Sequence, residues 1–205
     1  MSYCYIDFFH DITRSVSTIK KYPIILVCGG SCSGKTVFAN FFNHAFVLPM
    51  DHFYFGKKDM KQEQDGSYNF DAPTSVDIKG CAEAALLLSQ GKQATIPVYD
   101  MRVSDRTGTQ TLKIPDQAKF LIVEGIFSFY SPLREISDMN IYLDIPPEIR
   151  VARRMIRDVE KGRSDIDTLS WSITVEKNHR QYIEPMKHYA DLIIPFSYNP
   201  VAFPR

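Results

Sequence analysis

Ile24-Ile25-Leu26-Val27-Cys28 runs directly into Gly29-Gly30-Ser31-Cys32-Ser33-Gly34-Lys35-Thr36, and Val37-Phe38-Ala39-Asn40-Phe41-Phe42 follows. The first five residues are apolar and rich in β-branched side chains, which reads as a buried strand. The next eight fit G-x-x-x-x-G-K-[ST], the phosphate-binding loop. The last six continue as a helix. That order has a physical basis. Glycines let the backbone curl until successive N–H groups face one anion, and a helix start adds the positive end of its dipole. Lys35 is expected to reach the outer phosphates, and the Thr36 hydroxyl to ligate Mg²⁺. The competing reading is a chance glycine-rich turn, which the flanking strand and helix disfavour.

Four more apolar runs extend this unit: 45–48, 120–124, 139–143 and 192–195. Helical stretches separate them, so the five strands are expected to form one parallel sheet wrapped on both faces. Two of the runs lead to acids. The run 45–48 leads to Asp51, where α/β folds place their ligands, although a turn-forming aspartate would look the same. The run 120–124 ends in Glu124, placed to hold Mg²⁺ or its water opposite bound phosphates. A surface glutamate is the alternative there.

The remaining segments are read as follows. Residues 1–22 suggest a helix that ends before Pro23. Residues 56–75 read as an ordered loop, in which Asn69-Phe70-Asp71-Ala72-Pro73 sets an aromatic and a carboxylate beside a rigid proline. Ser75 to Gln90 reads as a helix capped by Thr74 or Ser75 and stopped by Gly91. Residues 94–115 read as an inserted β-hairpin with a polar turn around Gly108 and with Arg102, Asp105 and Arg106 at its tip. Pro146-Pro147-Glu148 opens a helix carrying Arg150, Arg153, Arg154, Arg157 and Lys161 on one stripe, and Gly162 stops it. Its acids, Glu148, Asp158 and Glu160, are too few on that stripe to neutralise it. The region 147–165 therefore reads as a lid that closes arginines over phosphates, against the alternative of a solvated basic face. Thr168 to His188 reads as largely helical up to Pro185.

Length and composition bound the class. The 205 residues suit one α/β domain over 1–205, or such a domain with a small insertion. Lys+Arg and Asp+Glu are both 24, so no basic field argues for nucleic acid. Cys4, Cys28, Cys32 and Cys81 show no C-x-x-C spacing, which suits reduced thiols and a cytoplasmic setting. No signal peptide or membrane-length apolar run is seen, so a membrane partner is not expected. Homo-oligomerisation is left open.

Several segments, in order and at about the right spacing, resemble the uridine kinase family within the phosphate-loop kinases. They are GGSCSGKT at 29–36, MDHFY at 50–54, NFDAP at 69–73, PVYD at 97–100, VEGIFSFY at 123–130, RRMIRDVEKGR at 153–163 and YADLIIP at 189–195. The resemblance implies a P-loop NTPase fold, ATP or another NTP as phosphoryl donor, Mg²⁺, and a small nucleoside-like alcohol as acceptor. It implies that Asp51 is the catalytic base near the metal and that Thr36 and Glu124 complete the metal's surroundings. Lys35 and Arg157 join Asp51 as catalytic groups, while residues 29–36 and Arg154 bind the nucleotide. Asp71 would bond the ribose hydroxyls. Tyr54, Phe70 and Tyr99 would line the nucleoside pocket, with Arg157 and Arg163 at lid and sugar-binding positions.

Departures fall in the base-recognising half. The family's hairpin commonly reads YDF-x-x-HSR. Here Met101 stands at the aromatic position and Ser104 at the histidine position. Lys161 replaces a lid arginine, Ser164 an aspartate, and Trp171 falls near a family glutamine. Loss of a base-reading hydrogen bond can cost several orders of discrimination. Three readings of function therefore stand: a nucleoside-like alcohol kinase, a kinase of another metabolite such as a sugar phosphate or vitamin, and a nucleotide-binding regulatory module. Arg102 and Arg106 would serve a phosphorylated acceptor. Asp51 and Asp71 argue against the regulatory module.

Overall fold

The structure is a computed structural model describing residues 20–63, 66–160 and 162–198. The expected helix over 1–22 lies almost wholly outside the described residues, as do Cys4 and Lys161. Five strands form the main sheet: β1 (Ile24–Gly29), β2 (Ala45–Pro49), β5 (Phe120–Glu124), β6 (Met139–Asp144) and β7 (Leu192–Pro195). A separate two-stranded sheet holds β3 (Ala94–Asp100) and β4 (Asp105–Leu112). The main-sheet order is β2-β5-β1-β6-β7, and every pairing is parallel.

Alternation along β1 shows why both faces are covered. Ile24, Leu26 and Cys28 enter one apolar cluster, which α2 (Ile78–Ser89) seals with Cys81, Ala82, Ala85 and Leu88. Ile25 and Val27 enter the other, which α1 (Lys35–Asn40) seals with Phe38 and Ala39. Period-two alternation inside a wholly apolar run is what a doubly covered strand needs. β1 sits at the centre, and the chain leaves it to reach β2 beyond β5. The crevice at the strands' carboxyl ends is the expected ligand position in such a sheet.

Four local expectations are corrected. The cap of α2 is Asp77, whose carboxylate accepts from Gly80 N–H at 2.9 Å. Ser75 is unavailable because its buried hydroxyl bonds the carbonyls of Phe70 and Ala72. The hairpin turns at residues 101–104, where Ser104 has φ +53°, and not around Gly108. Gly108 pairs with Val98 beside a bulge, a position that suits a strand glycine. The helix expected from 168 starts earlier, as α4 (Asp165–Asn178), with Ser164 as its cap. It ends as a π-turn (His179–Ile183) and a 3₁₀ turn (Glu184–Tyr189), where Pro185 lacks the N–H that an α-helix would need to continue.

Finally, α3 (Pro147–Glu160) is a helix as expected, but its arginines are not one charged surface. Arg150 and Arg154 are buried. No helix among the described residues is long and apolar enough to cross a membrane.

Candidate active site

The phosphate loop leaves β1 and turns twice through left-handed backbone, at Cys32 (φ +65°) and Gly34 (φ +93°), before α1 begins. Only glycine adopts that region freely, so the Cys32 conformation is held by its surroundings. One surrounding group is Arg153 of α3. Its Nη1 donates to the carbonyls of Ser33 (3.1 Å) and Cys32 (3.4 Å) and ties the helix to the loop. Arg150 approaches from behind. A Cβ on Gly30 would lie 2.2 Å from its Nη1. Arg150 itself donates to Ile145 O at 3.0 Å and to Glu176 Oε2 at 2.7 Å. It belongs to the scaffold of the loop and does not line the cleft.

Lys35 and Thr36 open α1 facing the strand-end acids. Lys35 Nζ donates to Gly30 O at 3.0 Å, so it lies back across the loop. The Thr36 hydroxyl donates to Glu124 Oε1 at 2.9 Å. Glu124 is buried at the end of β5, and burial pushes its carboxyl above the ordinary glutamate range. Lys35 and the Thr36 hydroxyl partly offset that, and Asp51 adds to it. Asp51 lies in a single 3₁₀ turn (Met50–Phe53) just after β2. It keeps a face open to the cleft, yet protein crowds its other sides. Lost hydration pushes its pKa up, against the pull of Lys35, His52 and Arg157.

These groups share one cleft of about 1100 Å³. Its lining includes Ser31, Cys32, Gly34, Lys35 and Thr36 of the loop and helix start, the acids Asp51 and Glu124, and the group Tyr54, Phe70, Asp71 and Tyr99. Arg153, Arg154, Arg157 and Arg163 border it from α3 and the segment after. Gly29, Gly30 and Ser33 complete the loop without lining the cleft. The Tyr54 ring meets Phe70 at 6.2 Å and Tyr99 at 5.6 Å between centroids, so three segments of chain make one aromatic wall. Asp71 is buried. Burial raises its pKa, and Arg154 opposes the rise. Asp71 N–H donates to Asn69 Oδ1 at 3.0 Å, and Asn69 pairs amide to amide with Asn178 at the end of α4.

Two observations bear on which groups the cleft could hold. Arg154 is buried with Nη2 unpartnered among the described residues, and a buried donor in that state suits an oxygen-bearing ligand. The Thr36–Glu124 pair, with Asp51 across the cleft, gives a hydroxyl and carboxylates but no cluster of three metal-binding side chains. That donor set suits Mg²⁺, which keeps waters and takes its other ligands from substrate phosphates.

A family model described as the phosphoribulokinase/uridine kinase family matches residues 24–199. The chain belongs to that family. The uridine kinase of Latilactobacillus sakei subsp. sakei (strain 23K) is 37% identical over 192 residues, covering 86% of this chain and 87% of that one. The uridine kinase of Macrococcus caseolyticus (strain JCSC5402) is 33% identical over 186 residues, with coverages of 86% and 89%. Phosphoribulokinase from Rhodobacter spheroides shares the fold, with a TM-score of 0.59 at 17% identity over 85% of this chain and 70% of its own. The chain is accordingly an ATP-dependent small-molecule kinase that transfers a phosphoryl group to a hydroxyl.

The kinase cleft contains residues that sequence reasoning did not select as site residues. Arg153 was legible only as one member of a stripe, and Asp158 only as one of its too few acids. Helical spacing does not say which member meets the loop. Asp158 is buried at the cleft edge, holding Arg157 Nε at 2.8 Å. Arg106, expected to be free for an acceptor phosphate, is engaged elsewhere. Its Nε donates to Tyr54 O at 2.8 Å and its Nη2 to Phe53 O at 2.9 Å, and it stacks on Phe55. Arg102 faces the cleft but is paired with Asp100 at 2.6 Å.

Proposed function

We propose that this kinase phosphorylates the primary hydroxyl of a nucleoside-like small molecule, using ATP or another NTP with Mg²⁺. The observation that carries the reading is the single cleft in which the phosphate loop, two strand-end acids and an aromatic, carboxylate-bearing acceptor wall meet. The similarity to proteins named uridine kinase supports a nucleoside acceptor.

In this reading residues 29–36 and Arg154 hold the nucleotide. Thr36, Glu124 and Asp51 would surround the metal, which when bound neutralises charge on the transferring phosphoryl group. Lys35 and Arg157 stabilise charge that develops on the phosphoryl oxygens. Support for Arg157 in this role is that it lines the cleft together with the phosphate loop and Asp51. Tyr54, Phe70 and Tyr99 hold the acceptor's ring, Asp71 accepts from its hydroxyls, and Arg163 closes on it. Asp51 takes the proton from the attacking hydroxyl as its oxygen bonds the terminal phosphorus and the bond from that phosphorus to the leaving nucleoside diphosphate breaks. A crowded carboxylate of raised pKa is a better base than a free one. Positioning and charge supply most of the rate.

The acceptor's outer end meets Met101, Ser104 and Trp171. Discrimination there is expected to rest on shape and stacking more than on base-edge hydrogen bonds. A kinase of a phosphorylated acceptor is disfavoured because Arg106 and Arg102 are already engaged. The reading places the enzyme among cytoplasmic salvage kinases, and homo-oligomerisation stays open. The test is a coupled ADP-release screen over nucleosides, sugar phosphates and vitamins. Acceptor-dependent turnover with nucleosides supports the proposal. Turnover only with a phosphorylated sugar or a vitamin overturns it, as does nucleotide binding with no acceptor.

A further inference from the structure

Asp158 is the best-buried carboxylate at the cleft edge, at 3% exposed. A buried carboxylate is costly unless charged partners meet it. Its partners are two arginines of the cleft. Arg157 Nε donates to Oδ1 at 2.8 Å, and Arg163 Nη1 lies 3.7 Å from Oδ2. The main chain repeats the link, since Arg163 N–H donates to Asp158 O at 3.0 Å. That contact needs the reversal at Gly162, whose φ is +81°. Residues adjacent in a helix do not ordinarily face one another. The Arg157 side chain is therefore drawn round the helix to reach its neighbour. Anchoring through Nε also leaves both terminal nitrogens of Arg157 available to a ligand. Arg157 lines the same cleft as Cys32 of the phosphate loop and Asp51 after β2.

The geometry points to Asp158 as a positioning residue that aims Arg157 at the outermost phosphate of the donor nucleotide and holds Arg163 beside it at the cleft edge. This rests on the nucleotide-binding reading above and adds a residue to it. Asp158 acts through Arg157 and touches no reacting atom.

The experiment compares two probes on the full chain without acceptor. A non-hydrolysable ATP analogue with an imido β–γ bridge and ADP, both with Mg²⁺, are titrated calorimetrically into wild type and Asp158→Asn. The variant is expected to lose about tenfold in affinity for the ATP analogue and little for ADP, the loss of one charge-assisted contact to the terminal phosphate. In an Arg157→Gln background the same substitution should then cost much less, because it acts through that arginine. A purely structural role predicts equal losses for both probes, or an unchanged loss in the Arg157→Gln background, and either result overturns the inference. Tighter binding of the ATP analogue also overturns it, since Asp158 would then compete with phosphate for Arg157. Should Asp158→Asn unfold, Asp158→Glu keeps the charge, shifts it by one methylene and carries the same comparison. These titrations need no turnover. A wild type that binds both probes but phosphorylates nothing sinks the functional proposal and leaves this inference to be judged on the ratio. A wild type that binds neither sinks both.

Discussion

Arg106→Ala tests whether the hairpin is fastened to the catalytic segment by one side chain. Arg106 lies on β4 and reaches the segment that carries Asp51 and Tyr54, donating to Tyr54 O at 2.8 Å and Phe53 O at 2.9 Å. Removing it takes from the part-buried Tyr54 carbonyl its charged donor, a loss at the low end of the usual range, about 1 kcal/mol. Phe53 O keeps a second donor, Asp77 N–H at 2.9 Å. Its loss is therefore only the net value of a charge-assisted bond, about 1.5 kcal/mol. The stack on Phe55 at 5.0 Å adds about 0.5 kcal/mol at a half-open site. The sum is about 3 kcal/mol, or about a hundredfold in an equilibrium. It should fall on the outer hairpin and not on the whole fold. Ala94 and Ile96 are buried in the core, while Tyr99 to Ser104 is held by this fastening together with the Tyr54–Tyr99 ring contact and the Lys57 N–H to Ser104 O bond. Amide hydrogen exchange of residues 98–106 should accelerate by up to about a hundredfold, with β1 and β5 unaffected. Because Tyr99, Met101 and Ser104 line the cleft, acceptor KM should rise while nucleotide affinity holds. Unchanged exchange in the hairpin together with an acceptor KM within twofold of wild type would refute the reasoning.

Further outcomes are expected elsewhere. Asp51→Asn should lower kcat by about 10²–10⁴-fold with nucleotide affinity retained, as loss of a general base predicts. Without metal, the Asp51 carboxyl should titrate above the ordinary aspartate value, because lost hydration raises it, and carboxyl NMR of the metal-free protein reads this. A metal-free Asp51 titrating at or below the ordinary aspartate value would contradict that crowding. Gly30→Ala puts a methyl 2.2 Å from Arg150 Nη1 and 2.9 Å from its Cδ. The displaced guanidinium should cost about 1–3 kcal/mol by overpacking, read as a lowered Tm, and nucleotide affinity should fall with it. His179 is buried with Nδ1 unpartnered among the described residues, and burial lowers its pKa from 6.5 to about 3. From pH 6.5 down towards 3 the unfolded chain binds a proton that the folded chain refuses, so stability attributable to this group is lost as pH falls. His179→Gln should flatten that part of the urea-denaturation profile, and an unchanged slope would contradict the assignment.

Much of this kinase was legible in order along the chain. The strand, loop and helix at 24–40 are local in sequence, and their apolar run, glycines and lysine carry their own signal. The five parallel strands follow from the alternation of runs with helical segments. Asp51 and Glu124 were legible because strand ends mark the ligand side of such sheets. The arginine stripe of α3 was legible as a stripe, since 3.6-residue periodicity is a property of the helix alone.

What one helix face meets is a different matter, and here the tertiary structure decided. Arg150 backs the loop, Arg153 ties it down, Arg154 is buried near Asp71, and Arg157 is held by Asp158. Four side chains with the same chemistry took four roles, because Arg150, Arg153 and Arg154 meet groups remote in the chain while Arg157 is held by its own neighbour Asp158. The hairpin turn moved for the same reason. Gly108 signals a turn locally, but the docking of Arg106 on Phe53 and Tyr54 fixes where β4 begins. Local pattern is written in spacing and side-chain type. Partnership across the chain depends on distances that only the packed molecule sets.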